Sequence, residues 1–193
     1  MKSKASVYNI FLVFACTVLC SFSYAQKDVD TLSVATSLRR VSGDSVTAAN
    51  KDTSIRVRNS EEVNDIIGFA KKYLGTPYHY AGSTPSGFDC SGFICYVMGN
   101  FGMELTRSSY GIAEFGETVK LADIRPGDLM FFKGRDVRST RVGHVALVIE
   151  VTPDDIRFIH ASTSRGVVID NFKSSKYYIP RFIKAKRLDY GGQ

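Results

Sequence analysis

The spacing of apolar residues changes near Pro126, and this change limits the fold class of the chain. Before it, apolar side chains from Val63 to Leu74 recur at helical spacing, between a capping Ser60 and a terminating Gly75. After it, short apolar runs between turn residues predict strands over 129–132, 142–151, 157–161, 167–170 and 179–188. Helices followed by antiparallel strands predict an α+β domain, with N-terminal helices packed on a central antiparallel sheet.

A cysteine stands at the predicted start of the second helix. The apolar run over 90–100 opens with Asp89-Cys90-Ser91-Gly92 and follows a Gly/Pro/Ser-rich loop at 82–88. Cys90 therefore lies in a first helical turn, where unpaired N–H groups and the positive end of the helix dipole favour a thiolate. A short third helix is predicted over 109–115.

The cysteines of the predicted domain are not expected to bridge each other. Cys90 and Cys95 are separated by about 500° of helical rotation, so their side chains point about 140° apart. Cys95 is predicted to be a small buried apolar side chain. Cys90 is left as a free thiol, which is unusual in an exported protein, where paired cysteines normally form disulfides.

Two histidines lie on the predicted strands. Alternation along 142–151 places His144 and Ala146 on one face, where the small Ala146 leaves room for a packed helix. His160 lies near a strand end, where a hairpin turn can hold it beside His144. A cysteine with histidines distant in sequence is typical of a thiol hydrolase. For His144 the alternative is a core histidine bonded to backbone, and for His160 it is a strand-edge histidine. His79, in the loop before the cysteine, can line a cleft or lie at the surface.

The N-terminal residues have the pattern of a secretory signal over 1–25. Lys2 and Lys4 precede an apolar run at 10–20. The small residues Ser23 and Ala25 occupy the third and the first positions before a cleavage site that follows Ala25. An uncleaved anchor is the alternative, and lipid attachment is disfavoured because the bulky Leu19 precedes Cys20. We therefore expect an extracytoplasmic protein, periplasmic or secreted and associated with the cell wall, with no stable membrane span after signal cleavage.

The rest of the chain divides into a linker, a domain and a tail. Residues 26–60 contain no aromatic side chain and many polar ones, which predicts a flexible linker; a short structured extension is the alternative. The domain is expected over 61–188 and a tail over 189–193. The formal net charge of +6 suits a polyanionic cell envelope, and no stripe of basic and aromatic residues indicates a nucleic-acid partner.

Several segments, in order, resemble the NlpC/P60 family of cysteine peptidases. The central motif is Gly87-Phe88-Asp89-Cys90-Ser91-Gly92-Phe93. The other similar segments are 75–82, 105–109, 125–132, 143–145 and 159–162. The resemblance extends over about 61–188 and so covers the whole predicted domain. It implies a papain-like α+β fold and hydrolysis of peptidoglycan stem peptides, typically between D-γ-glutamate and a diamino acid.

The resemblance also implies roles for individual residues. Cys90 would be the nucleophile, with its backbone N–H serving the oxyanion, His144 the general base and acid, and His160 the residue that orients His144. Tyr78 would present its hydroxyl to the oxyanion.

The resemblance further implies how the cleft meets its substrate. Asp89 and Ser91 would lie near the N-terminal part of the substrate. Tyr80 and Ala81 stand where the family often has Trp and Gly, so the wall of the cleft is expected to differ in shape.

No cofactor or metal is expected, and the expected partners are peptidoglycan stem peptides or muropeptides. Three other functions remain open at this point. A papain-like amidase would cut between the glycan and the stem peptide. A binding module would dock on peptidoglycan without cleaving it. A zinc site at Cys90 and Cys95 is disfavoured because their side chains point in different directions.

Overall fold

The computed structural model describes residues 60–190. The predicted signal peptide at 1–25, the linker before residue 60 and the last three residues of the tail lie outside the described residues. Helix α1 covers 60–71. The other helices are α2 (Cys90–Gly99) and α3 (Ser109–Ile112). The strands are β1 (Ser83–Thr84), β2 (Gly87–Phe88), β3 (Glu117–Val119), β4 (Leu129–Lys133), β5 (Val142–Val151), β6 (Ile156–Ser162), β7 (Gly166–Asn171) and β8 (Phe182–Arg187).

Six strands form one antiparallel sheet in the order β3-β8-β4-β5-β6-β7, and β1 pairs with β2 separately. The α+β class predicted from the sequence is confirmed. Strand β5 lies inside the sheet between β4 and β6, with Phe132 opposite His144. The β6–β7 hairpin pairs His160 with Val168. This register brings His144 and His160 to the same end of the sheet.

The last predicted strand begins later than expected. Residues Ile179–Arg181 form a 3₁₀ turn, and the strand starts at Phe182. Pro180 explains the difference, because its ring removes the backbone donor that a central ladder needs. The third helix also ends early, at Ile112, and the two- and three-residue strands β1, β2 and β3 were not predicted. Such short pairings carry too few residues to show a periodic pattern.

The core has one cluster on each face of the sheet. Val145, Leu147 and Ile149 of β5 join apolar side chains of α1 and α2. Ala146 and Val148 face the opposite cluster, which contains Met130, Phe132, Phe158, Phe172 and Tyr178. The expectation that a helix packs on the Ala146 face is therefore wrong. Large aromatic side chains from neighbouring strands and from the segment before β8 fill that face, and they explain why a small residue stands there.

The folded part continues beyond the predicted end at Leu188. Tyr190, assigned to the tail from the sequence, is buried, and its hydroxyl donates to the carbonyl oxygen of Gly127. Nearby, the fully buried carboxylate of Asp128 accepts two hydrogen bonds of 2.8 Å from the Arg187 guanidinium and one from the Arg125 backbone N–H. These contacts attach the end of the chain to the turn before β4. None of the helices within 60–190 is long and apolar enough to cross a membrane.

We expect the Asp128–Arg187 pair to stabilise the fold more than an exposed ion pair does. Arg187→Met leaves a buried carboxylate without its counter-charge, and this should lower the free energy of unfolding by about 2–3 kcal/mol. The matched control is Arg157→Met, because Arg157 pairs with Glu150 at the surface; it should cost less than about 1 kcal/mol. Urea denaturation measures both, and equal losses would contradict this assignment.

Candidate active site

Helix α2 begins with a capping carboxylate directly before the predicted nucleophile. Asp89 has extended backbone angles, and its side chain accepts a 2.6 Å hydrogen bond from the Gly92 N–H. The Ser91 hydroxyl donates to the same carboxylate and lies 3.2 Å from the Arg107 carbonyl oxygen. The cap satisfies one of the four free N–H groups of the helix terminus. Cys90 is thereby held at the first helical position, with backbone N–H groups at its side chain.

Arg107 joins this helix terminus to the preceding loop. Its guanidinium lies 3.2 Å from the Asp89 carboxylate and donates to the carbonyl oxygens of Ala81 and Gly82. A Cβ atom at Gly92 would lie 2.0 Å from the Gly82 oxygen, so only glycine allows this approach. Arg107 lies in one of the family-like segments, but the sequence alone indicated no role for it. The structure shows that it holds the loop against the start of α2.

The loop also places Tyr78 near Cys90. Tyr78 forms a parallel bridge with Phe88, and the N–H of residue 79 donates to the Phe88 carbonyl oxygen. The Tyr78 side chain is half-buried. Burial raises the pKa of Tyr78, and the nearby negative charges of Cys90 and Asp89 raise it further. Tyr78 therefore stays protonated and can donate a hydrogen bond close to the thiol.

The surroundings of Cys90 favour the neutral thiol at rest. Burial raises the pKa of the Cys90 thiol, and the Asp89 carboxylate raises it further. The backbone N–H groups of Val145, Ser91 and Cys90 itself lower that pKa, but by less. These surroundings therefore oppose the thiolate that the helix terminus favours. The helix terminus acts as expected, yet desolvation and the adjacent cap outweigh it.

The two predicted histidines are in direct contact. His144 Nε2 lies 2.9 Å from His160 Nδ1, and the two rings meet edge to face. His160 is only 1% exposed, and its Nε2 lies 2.9 Å from an Asp170 carboxylate oxygen. Val145, the residue after His144, presents its N–H to the thiol of Cys90. The Cys90 thiol thus lies beside strand β5 at Val145, the residue next to His144. His144, His160 and Asp170 follow in one line of hydrogen bonds.

Asp170 is held on its other side by a cation and lies close to a phenol. The Arg165 guanidinium donates to both Asp170 oxygens, at 3.0 and 2.5 Å. The Tyr178 hydroxyl lies 3.2 Å from His160 Nε2. The hydrogen bond from His160 lowers the pKa of Asp170, and the bond from Arg165 lowers it further despite partial burial. Asp170 is therefore a carboxylate at neutral pH.

Asp170, Arg165 and Tyr178 were not predicted from the sequence as site residues. A signal for Asp170 was present, because the hairpin register pairs His160 with Val168 and puts Asp170 two residues further along the same face. No comparable signal existed for Tyr178, which reaches the site from outside the sheet, in the segment before the 3₁₀ turn.

Burial also determines the charge of the histidine pair. Desolvation lowers the pKa of His144, and the neighbouring His160 lowers it further, while the Asp170 charge acts in the opposite direction. Desolvation likewise lowers the pKa of His160 against the opposing effect of Asp170. Both imidazoles are neutral at neutral pH. A neutral imidazole beside a neutral thiol can act as a general base.

The remaining candidates lie outside this group. His79 is exposed in its loop. Cys95 is half-buried, with its sulfur 3.4 Å from the Thr106 carbonyl oxygen, and neither Cys90 nor Cys95 forms a disulfide. Within the described part of the chain, no three His, Cys, Asp or Glu side chains are grouped so as to hold a metal ion.

Comparison with known proteins gives one family. The model described as the NlpC/P60 family matches residues 75–187. The chain is 39% identical over 124 residues to the γ-DL-glutamyl hydrolase of Bacillus subtilis, covering 64% of this chain and 29% of that protein. It is 32% identical over 145 residues to the murein DD-endopeptidase MepS/murein LD-carboxypeptidase of Escherichia coli, covering 75% of this chain and 72% of that one.

Solved structures agree with this assignment. An NlpC/P60 family protein from Bacillus cereus superposes with a TM-score of 0.58 at 32% identity, covering 65% of this chain and 39% of that one. An NLP/P60 family protein from Staphylococcus aureus gives a TM-score of 0.57 at 33% identity, covering 66% and 41%. The chain thus spans less than half the length of these structures. Its fold is the papain-like α+β fold expected from the sequence, and the chain belongs to the NlpC/P60 family.

Proposed function

We propose that this chain is an exported cysteine peptidase that hydrolyses peptidoglycan stem peptides between D-γ-glutamate and a diamino acid. The observation that carries the proposal is the line of hydrogen bonds from Asp170 through His160 to His144, next to a cysteine at a helix start. Relatives named as a γ-DL-glutamyl hydrolase and a murein endopeptidase support the substrate class. The signal-like pattern of residues 1–25 supports export to the cell envelope.

The hydrogen bonds determine which nitrogen of His144 is the base. Asp170 can only accept, so His160 Nε2 carries a proton and donates to it. His160 Nδ1 is then an acceptor and receives the Nε2–H of neutral His144. This leaves the lone pair of His144 on Nδ1, the nitrogen that does not contact His160. Nδ1 is therefore the atom that takes the proton of the Cys90 thiol.

The reaction proceeds by acyl transfer. The Cys90 sulfur attacks the scissile amide carbonyl while its proton passes to His144 Nδ1. The imidazolium then protonates the leaving amine, and the C–N bond breaks to give a thioester and a free amine. Water, deprotonated by His144, attacks the thioester carbonyl, and the thiol leaves with the proton.

Two donors are positioned for the negative oxygen of the tetrahedral intermediates. The backbone N–H of Cys90 lies at the helix terminus beside the sulfur, and the protonated Tyr78 hydroxyl lies close to it. Donors fixed in place before the reaction stabilise the charge that develops in the transition state, and one such donor can contribute about 10²–10³ in rate.

Replacement of the nucleophile is the first test of this proposal. Cys90→Ala should lower kcat on a soluble stem peptide by at least about 10³-fold, because the thioester can no longer form. Cys95→Ala is the matched control, since it removes the other thiol of α2 and should leave activity near that of the wild type. Product masses locate the cut. With peptidoglycan as a second substrate, release of whole stem peptides from glycan would indicate an amidase, and binding without any product would indicate a non-catalytic module.

Asp170→Asn tests the hydrogen-bond line itself. An asparagine N–H facing His160 Nε2 would place the His160 proton on Nδ1, which opposes the Nε2–H of His144. We expect kcat/KM to fall by about 10²-fold or more. Asp136→Asn, in an exposed loop, is the control and should change little.

The pH profile of the same variant separates orientation from general damage. The Asp170 charge raises the pKa of His144 and His160, so its removal should move the acid limb of kcat/KM to lower pH. A variant that merely lost structure would show a lower plateau with an unmoved limb, and that result would contradict the role given to Asp170.

A further inference from the structure

A cleft of about 720 Å³ adjoins the histidine pair. Its lining includes His144 and His160 but not Cys90, and every lining residue comes from the sheet half of the chain, between Phe132 and Arg181. The hydroxyl-rich turn at 162–164 forms part of its wall. The cleft therefore extends from the general base away from the helix that carries the nucleophile.

The charged residues of this cleft are mostly basic. Lys133, Arg135, Arg165 and Arg181 line it, against a single acid, Asp170. Arg165 is neutralised by its two hydrogen bonds to that acid. The other three cations have no carboxylate within ion-pair distance among residues 60–190. The cleft thus carries an uncompensated positive charge next to His144.

Two of these cations have donors that the protein does not satisfy. The Arg181 guanidinium lies 3.8 Å above the Tyr177 ring and donates through Nη1 to the Tyr177 carbonyl oxygen. Its Nε is buried and has no hydrogen-bond partner in the described part of the chain. Lys133 Nζ donates to the Val137 carbonyl oxygen, and its other N–H groups have no protein partner within 60–190. Charged donors that the protein leaves unpaired form stronger hydrogen bonds to an anion than to a neutral acceptor, so the cleft favours an anionic ligand.

The reaction determines which part of a substrate reaches this cleft. His144 protonates the leaving amine, so the fragment that departs as an amine must lie on the His144 side of the sulfur. The cleft begins at His144 and does not reach Cys90. The amine-side fragment is therefore the part of the substrate that can extend into it.

We propose that the cationic cleft binds a free carboxylate on the amine-side fragment, and that Lys133 and Arg181 hold it. This inference rests on the proposed peptidase function and adds a substrate preference to it. The enzyme favours peptides whose leaving half is acidic. The carboxylate can be the C-terminus of the peptide or a carboxylate on the side chain of the diamino residue, since both present the same planar acceptor to a guanidinium.

Four soluble peptides, L-Ala-γ-D-Glu-X-D-Ala, distinguish these sources. X is lysine or diaminopimelate, and diaminopimelate carries a side-chain carboxylate that lysine lacks. Each peptide ends either in a free carboxylate or in an amide. For the wild type we expect kcat/KM to be about tenfold or more higher with at least one of the two carboxylates than without it. In a Lys133→Gln/Arg181→Gln variant this ratio should fall to about two or less.

The control is Lys176→Gln, which removes one exposed positive charge near the cleft but outside its lining. It should leave the carboxylate preference unchanged, which separates a local contact from net charge. Thermal unfolding verifies that the double variant is folded, and the single Lys133→Gln variant serves for the same comparison if it is not.

The outcomes separate this inference from the function on which it rests. Equal cleavage of all four peptides by the wild type would overturn the inference and leave the peptidase proposal in place. A preference that survives in the cleft variants would also overturn it, because the carboxylate would then bind elsewhere. Cleavage of none of the peptides would overturn the proposed function, and the inference with it.

Discussion

The carboxylate of Asp170 can only accept hydrogen bonds, and this constraint orders every proton between it and the nucleophile. His160 must donate to it through Nε2, so His160 Nδ1 accepts a hydrogen bond from His144 Nε2. The free lone pair of His144 is then on Nδ1. Arg165 keeps Asp170 ionised, since its hydrogen bonds add to that of His160 in lowering the pKa of Asp170. A buried polar network of this kind is stable only when all of its members are satisfied. Each member therefore determines the orientation of the next.

The same burial determines how the proposed nucleophile would become active. Desolvation raises the pKa of the Cys90 thiol and lowers the pKa of His144, so the resting pair is neutral. In the proposed reaction, charge separation occurs during attack, when the fixed N–H groups at Cys90 and Val145 can stabilise it. A dry site strengthens such contacts and disfavours an ion pair formed beforehand.

The sequence was sufficient for the fold class and for most of the long elements. Helix α2 and strand β5 were predicted within one residue, because each has a strong pattern and clear end signals. The family-like motifs predicted Cys90, His144 and His160 as site residues, and the structure brings the two histidines into contact. Asp170 and Arg107 were missed because their roles depend on strand register and on a loop that closes over a helix terminus. The hairpin register carried a signal for Asp170, whereas the tertiary contacts of Arg107 leave none in the local sequence pattern.

In the proposed reaction, strand β5 lies at the point where the substrate is cut. The Val145 N–H faces the thiol, and its side chain packs in the helix-side core, while His144 beside it belongs to the network of β6 and β7. Adjacent residues of one strand thus contact the two halves of the site. In the proposed peptidase, the acyl part of a substrate would lie along α2 and the loop held by Arg107, and the amine part would lie over the sheet. Because one strand carries both contacts, we infer that a substrate binds in one direction only, with its departing half towards the cationic cleft beyond His144.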